Sequence, residues 1–126
     1  MTKRTGRFFS IPRTAETGDY RARGLLAHAV FGRDGLRCVY CGARATEGAE
    51  IEIDHVRPAS HFSAGTERDV VNATSNLVTA CESCNNVKGG CGLEGFIEKL
   101  LALGVSLRSV DALRLRVEAA TSTIIE

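Results

Sequence analysis

The sequence predicts an α+β fold, and three observations predict it. Glu50-Ile51-Glu52-Ile53-Asp54-His55-Val56 alternates apolar and polar residues with period two and reads as a strand. Apolar residues at helical spacing flank it on both sides. Two Cys-x-x-Cys pairs, Cys38/Cys41 and Cys81/Cys84, bracket it with 39 residues between them. At 126 residues and 13.5 kDa the chain fits one domain of ordinary size. Hydrophobic residues at 44% and charged residues at 25% are the composition of a soluble globular protein. No run approaches the roughly 18 apolar residues of a membrane span, so no membrane partner is expected.

The elements follow in order. Residues 1–16 are basic and without a clear period, and read as an N-terminal arm; residues 17–126 read as a single domain. A helix is predicted over about 19–33, with Leu25, Leu26, Ala29 and Val30 as its apolar face and Thr17 and Asp19 as candidate caps. Gly32 and the pair Asp34-Gly35 punctuate its end. Cys38-Val39-Tyr40-Cys41-Gly42 reads as a tight turn. The strand over 50–56 is expected to bury one face, and Pro58 stops it. Residues 59–75 are a long polar stretch, of the kind that is functional or disordered inside a compact domain. Residues 76–80 can return as a second strand, and 81–88 suit a short helix ended by Gly89-Gly90. Two more helices are predicted over 93–103 and 107 to about 120. Their apolar faces are Phe96, Leu100 and Leu103, then Val110, Leu113 and Val117, with Gly104 between them and Ser106 as N-cap.

The N-terminal Phe8-Phe9-Ser10-Ile11-Pro12 is shorter than the about 7–15 apolar residues of a secretory signal, so a cytoplasmic protein is the expectation. In that compartment five cysteines read as metal ligands or reactive thiols before disulfides. Each Cys-x-x-Cys turn can present two thiolates to one side of a metal, and a second turn completes a tetrahedron at about 2.3 Å per Zn–S bond. A strand, a loop and a returning strand would bring the two pairs together. Metal closure would then pin the hairpin at its base, with a binding free energy of order 10 kcal/mol for structural zinc. A redox pair, a rubredoxin-like iron site and two disulfides are the other readings of the same spacing. Cys91 stands alone and reads as a free thiol.

Asp54-His55 closes the predicted strand, Asn76 opens the return, and Asn85 directly follows the fourth cysteine. A carboxylate and an amide oxygen are hard ligands that suit Mg²⁺ or Mn²⁺. A neutral imidazole close by can act as a general base on water.

Cys38-x-x-Cys41, Asp54-His55, Asn76-Leu77 and Cys81-x-x-Cys84-Asn85-x-x-Lys88, in this order, resemble the HNH endonuclease family with its ββα-metal (His-Me finger) core. The lead-in Arg33-Asp34-Gly35-Leu36-Arg37 is similar to that family as well, and the likeness covers residues 33–89. The resemblance implies a ββα-metal core with a zinc ribbon, flanked by an N-terminal helix and two C-terminal helices. It implies that His55 is the general base, that Asp54 and Asn85 hold the catalytic divalent cation, and that Asn76 braces the long loop and orients the histidine. It implies that Cys38, Cys41, Cys81 and Cys84 hold a structural zinc remote from catalysis. Many members have histidine where this chain has Asn85, and the amide oxygen tilts the expected cation toward Mg²⁺ or Mn²⁺.

Phosphodiester hydrolysis needs an attacking hydroxide, charge neutralisation and help for the departing 3′ oxygen; His55 and one cation would supply them. The resemblance implies nucleic acid, double-stranded DNA, as the partner, although the net charge is only +1. The charge is uneven: residues 1–46 hold nine basic and three acidic side chains, and residues 47–88 three basic and seven acidic. Arg4, Arg7, Arg13, Arg21, Arg23, Arg33 and Arg37 are therefore candidates for phosphate contact. Arg57 is a candidate clamp on the scissile phosphate, with an ion pair to Glu52 or Asp69 as the plain alternative. Lys88 is read as neutralising its helix C-terminus or meeting phosphate. Four zinc-bound thiolates carry a formal −2, for which Arg37 and Arg44 are the expected basic neighbours. His61 is a minor candidate for substrate or metal, and His28 reads as structural. The C-terminal helices are the expected surface of a homodimer. The competing functions are a catalytically silent zinc-ribbon module that binds nucleic acid or docks a larger machine, and a redox or iron protein using the four thiolates.

Overall fold

The computed structural model describes residues 20–125, so the arm 1–16 and the candidate caps Thr17 and Asp19 lie outside the described residues, as do the side chains of Arg21 and Arg23. The regular elements are α1 (Tyr20–Asp34), β1 (Ile51–His55), α2 (Arg68–Val71), β2 (Leu77–Cys81), α3 (Glu82–Lys88), α4 (Leu93–Ala102) and α5 (Leu107–Ser122). None of the described helices is long and apolar enough to cross a membrane. The α+β class holds, with a two-stranded antiparallel sheet and the order β1–β2–α3 at its centre.

Helix α1 stops where the sequence places its punctuation. Gly35 and Leu36 both take left-handed backbone, with φ of 71° and 56°. Their N–H groups donate back to the carbonyls of Gly32 (3.3 Å) and Phe31 (3.0 Å), the two bonds of a Schellman cap. The apolar face of α1 is not the expected one. Ala27, Val30 and Phe31 are buried, whereas Leu25 is 65% exposed. The sheet meets the helix about one residue further round than the leucine pair suggested.

In the sheet Ile51 pairs with Cys81, Ile53 with Thr79 and His55 with Leu77. Successive residues point to opposite faces. Ile51, Ile53 and Leu77 pack on α1 with Ala27, Val30 and Phe31. The opposite face carries Glu52 and Asp54 opposite Ala80 and Val78, and α3 and α4 lie on that side. All five β1 residues are therefore buried, not one face alone as the alternation predicted. A two-stranded ribbon is marginal by itself, and here helices cover both sides.

The outer edge of β2 is closed as well. Thr79 N–H donates to Asp34 Oδ2 (2.8 Å), and the Thr79 carbonyl accepts from Val39 N–H (2.8 Å). Asp34 is held in turn by Arg33, Nε to Oδ1 at 2.7 Å, in a pair whose side chains are almost wholly buried. Arg33 also donates to the carbonyls of Thr74 and Leu77. It is thus a structural residue and not the phosphate contact expected of it.

The polar stretch 59–75 is ordered into a 3-10 turn (Ala59–His61), the short helix α2, and a second turn beginning at Thr74. Helix α5 begins at Ser106, whose hydroxyl accepts from Ser109 N–H at 3.1 Å, the expected N-cap. Phe96 and Ile97 of α4 join Val110, Leu113 and Val117 of α5 in the second core cluster. Leu103 falls outside it, 70% exposed, because α4 ends before that residue.

Candidate functional site

The first Cys-x-x-Cys turn is built by its own backbone. Gly42 takes φ 86°, Gly42 N–H donates to the Cys38 carbonyl (2.8 Å), and Cys41 N–H points at Cys38 Sγ (3.4 Å). The second repeats the device on a helix: Cys81 is the N-cap of α3, and its Sγ accepts from Cys84 N–H at 3.4 Å. The four sulfurs lie within 4.8 Å of one another, and Cys41 Sγ is 3.7 Å from Cys81 Sγ. Thiols packed this closely cannot all keep ordinary proton affinities. Hydrogen bonds from Cys38 lower Cys41 and bring Cys81 to about 7, while Cys38, bonded to Cys41, and Cys84, bonded to Cys38, are pushed up. A cluster that stabilises thiolate at some sulfurs and crowds protons at others is the donor set a soft, tetrahedral cation relieves. Cys91 is not part of it.

One basic neighbour of this cluster is a residue that sequence reasoning missed. Arg116, on α5, donates from Nε to the Val39 carbonyl (2.8 Å) and from Nη2 to the Tyr40 carbonyl (2.5 Å), gripping the backbone between the first two cysteines. Arg37 and Arg44, both exposed, pair backbone to backbone in an isolated antiparallel β-bridge, and the Arg37 guanidinium reaches Gly42, directly after Cys41, so Arg37 is a basic neighbour as expected. Arg37 stands beside Cys38, at the Cys81 end of the hairpin. His55 lies at the other end, about 13 Å of strand away.

Helix α3 connects the two ends by running back over β1. Asn85 Nδ2 donates to Glu52 Oε1 (2.5 Å). One turn later Lys88 Nζ reaches Asp54 Oδ2 (3.0 Å) and the His55 carbonyl (2.7 Å). Lys88 is 0% exposed, so it neither caps the helix in solvent nor meets phosphate: its three-residue spacing from Asn85 turns it toward β1. Tyr40, stacked edge-on against Phe96, donates its hydroxyl to the same Asp54 Oδ2 at 2.6 Å. Burial, and then the Asp54 carboxylate, push the Tyr40 hydroxyl well above its ordinary value of 10.0. Nothing in the local sequence marked Tyr40 or Glu52 as part of this group.

Asp54 and Asn85 share the α3–β1 interface but do not bond to each other. Each keeps one oxygen free of hydrogen bonds, Oδ1 in both cases. Among the described residues the single buried side-chain polar atom without a partner is Thr79 Oγ1, so both of these oxygens reach solvent. Two free hard oxygens on one face, one of them anionic, fit a hard divalent cation.

His55 leaves the strand on the opposite face. Its Nε2 is 2.7 Å from Asn72 Oδ1, the residue that closes α2. Its Nδ1 has no partner and, by the same reasoning, reaches solvent. Asn76 does not touch the ring. Its Oδ1 accepts from Arg57 N–H (2.9 Å), and its Nδ2 donates to the carbonyls of Arg57 (3.0 Å) and Val71 (2.9 Å), tying the two ends of the long loop together. Arg57 pairs with neither Glu52 nor Asp69. Its guanidinium lies over the Phe62 ring at 4.2 Å and donates to the His61 carbonyl (3.0 Å). It flanks an open groove of about 590 Å³ shared with His61 and the glycine-rich turn at Gly90 and Gly92.

Residues 38–90 match the family model of HNH endonucleases. Comparison with curated proteins finds no match. Among solved structures the chain is similar to the Type II-C Cas9 enzyme from Actinomyces naeslundii, at 21% identity and a TM-score of 0.41, over 82% of this chain and 12% of that one. The chain thus spans 12% of that enzyme's length. With the ββα order, the clustered cysteines and the family match on one segment, residues 38–90 are an HNH endonuclease domain.

Proposed function

We propose that the chain is a metal-dependent endonuclease that hydrolyses phosphodiester bonds in double-stranded DNA. The observation that carries this reading is three side-chain atoms without hydrogen-bond partners on and beside β1: His55 Nδ1 on one face of the hairpin, and Asp54 Oδ1 and Asn85 Oδ1 on the face that α3 covers. Asp54 and His55 leave the strand on opposite faces, so a phosphate served by both must lie across the hairpin end. His55 takes the proton of the attacking water through its free nitrogen. Asp54 and Asn85 would hold Mg²⁺ or Mn²⁺, which supplies charge neutralisation and stabilises the departing 3′ oxygen when bound. Lys88 and Tyr40 fix the Asp54 carboxylate by its other oxygen, and Asn76 keeps the loop beside it closed. Arg57, held by Phe62 and the His61 carbonyl, is positioned to meet a phosphate flanking the cut, and the exposed Arg37 one further away.

Cys38, Cys41, Cys81 and Cys84 hold a structural zinc at the far end, and the exposed leucines of the C-terminal helices are the surface of a homodimer. Supercoiled plasmid incubated with Mg²⁺ or Mn²⁺ tests the reading. Nicked or linear product from the wild type and none from His55→Ala supports it; equal activity in both removes His55 as the base. One observation favours a second reading, a silent zinc-ribbon module: Asp54 and Asn85 are already partnered, by Lys88 and Glu52, without a cation. Plasmid bound but uncut across a full panel of divalent metals would select it.

A further inference from the structure

We propose that Asn72 is the positioning residue of His55, holding the imidazole with its proton on Nε2 so that Nδ1 is the nitrogen presented to water; this rests on the nuclease reading of His55. An amide oxygen can only accept a hydrogen bond. With Asn72 Oδ1 2.7 Å from Nε2, the ring nitrogen must be the donor, and in a neutral imidazole the other nitrogen is then bare. Nδ1 is also the ring nitrogen that reaches solvent.

The short helix α2 exists to place that oxygen. Asn72 closes it, with its own N–H on the Arg68 carbonyl (2.8 Å). Val71, buried, anchors the helix from below. Asn76 Nδ2 holds the Val71 carbonyl at 2.9 Å, one residue from Asn72. Asn76 therefore acts on His55 at one remove: it fixes α2, α2 fixes Asn72, and Asn72 fixes the ring. The asparagine four residues earlier in the chain makes the contact that the sequence assigned to Asn76.

Long-range proton–nitrogen NMR of the ¹⁵N-labelled full chain, without added divalent cation, tests the assignment. The wild type should show the His55 proton on Nε2, protected from exchange with water, and an unprotonated Nδ1. Asn72→Ala should lose that protected signal, and Asn72→Asp, which keeps an acceptor oxygen, should retain it. On plasmid, Asn72→Ala should lower kcat about 100-fold with KM little changed, as misplacement of a reacting group does. If Asn72→Ala does not fold, Asn72→Leu, similar in size and without an acceptor, takes its place. A proton on Nδ1 in the wild type, or a protected Nε2 proton that survives Asn72→Ala, overturns the proposal. Plasmid left intact by a wild type that shows the expected NMR pattern overturns the nuclease reading instead.

Discussion

Lys88 carries its ammonium to a place that water does not reach, and its compensation is one oxygen of Asp54 and the carbonyl of His55. Removing one partner of a buried pair leaves the other charge uncompensated, at a cost of about 3–5 kcal/mol. Lys88→Met should therefore lose stability of that size in urea unfolding, a large share of the roughly 5–15 kcal/mol a domain possesses. Tyr40 adds a pH dependence with a definite sign. Its proton is held more tightly in the folded chain than in the unfolded one. Its contribution is complete below pH 10 and is lost as the pH rises above that value toward the folded one. The Tm should fall on alkaline titration above pH 10, and Tyr40→Phe should lessen the fall; an unchanged alkaline limb would contradict the role of the hydroxyl.

What the sequence told at this scale was the set of atoms with chemistry, not their partners. Asp54, His55, Asn76, Asn85 and the four cysteines sit in local patterns whose spacing is itself informative. Tyr40, Asn72, Arg116 and Glu52 act through contacts across 14 to 77 residues, or, for Glu52, through the face of a neighbouring helix. No spacing encodes such contacts. Lys88 differs from its expected role for the same reason: a lysine at a helix end is ordinarily solvated, and only the packing of α3 on β1 buries it.

At the scale of elements, α5 is tied into the cysteine cluster through Arg116. Its two charge-assisted bonds to the Val39 and Tyr40 carbonyls hold the first cysteine turn in shape. Groups that support metal ligands from behind commonly change metal affinity about 10- to 100-fold when removed. Arg116→Ala should weaken zinc retention by that factor in competition with a chromophoric chelator, and Arg44→Ala should leave it unchanged. The helices themselves were legible from periodicity and caps, Ser106 and Gly35 above all. Which face each helix buries was less so. Leu25 and Leu103 are good apolar candidates in one dimension, but the sheet lies beside Ala27, Val30 and Phe31, and α4 ends before Leu103. The alternation of β1 hid a second buried face, because Glu52 and Asp54 are buried as polar residues with partners.

For the whole molecule, the cysteine cluster pins one end of the hairpin and the candidate catalytic group occupies the other. Metal held at the cysteine end would add its binding free energy, of order 10 kcal/mol, to folding. A strong chelator should therefore collapse the far-ultraviolet signal or lower the Tm sharply, and acid should do the same, since the thiols must lose their protons to bind metal. The near-neutral net charge of +1 gives little general attraction for polyanions, so binding to plasmid should be weak and should fall with added salt only as steeply as the few arginine–phosphate contacts require. The most direct test of the account is a supercoiled-plasmid cleavage assay of the zinc-loaded chain with Mn²⁺ or Mg²⁺, with His55→Ala beside the wild type. The account predicts nicked or linear DNA from the wild type, none without the divalent cation, and none from His55→Ala. Intact plasmid from the wild type across all metals, or equal cleavage by the variant, would contradict it.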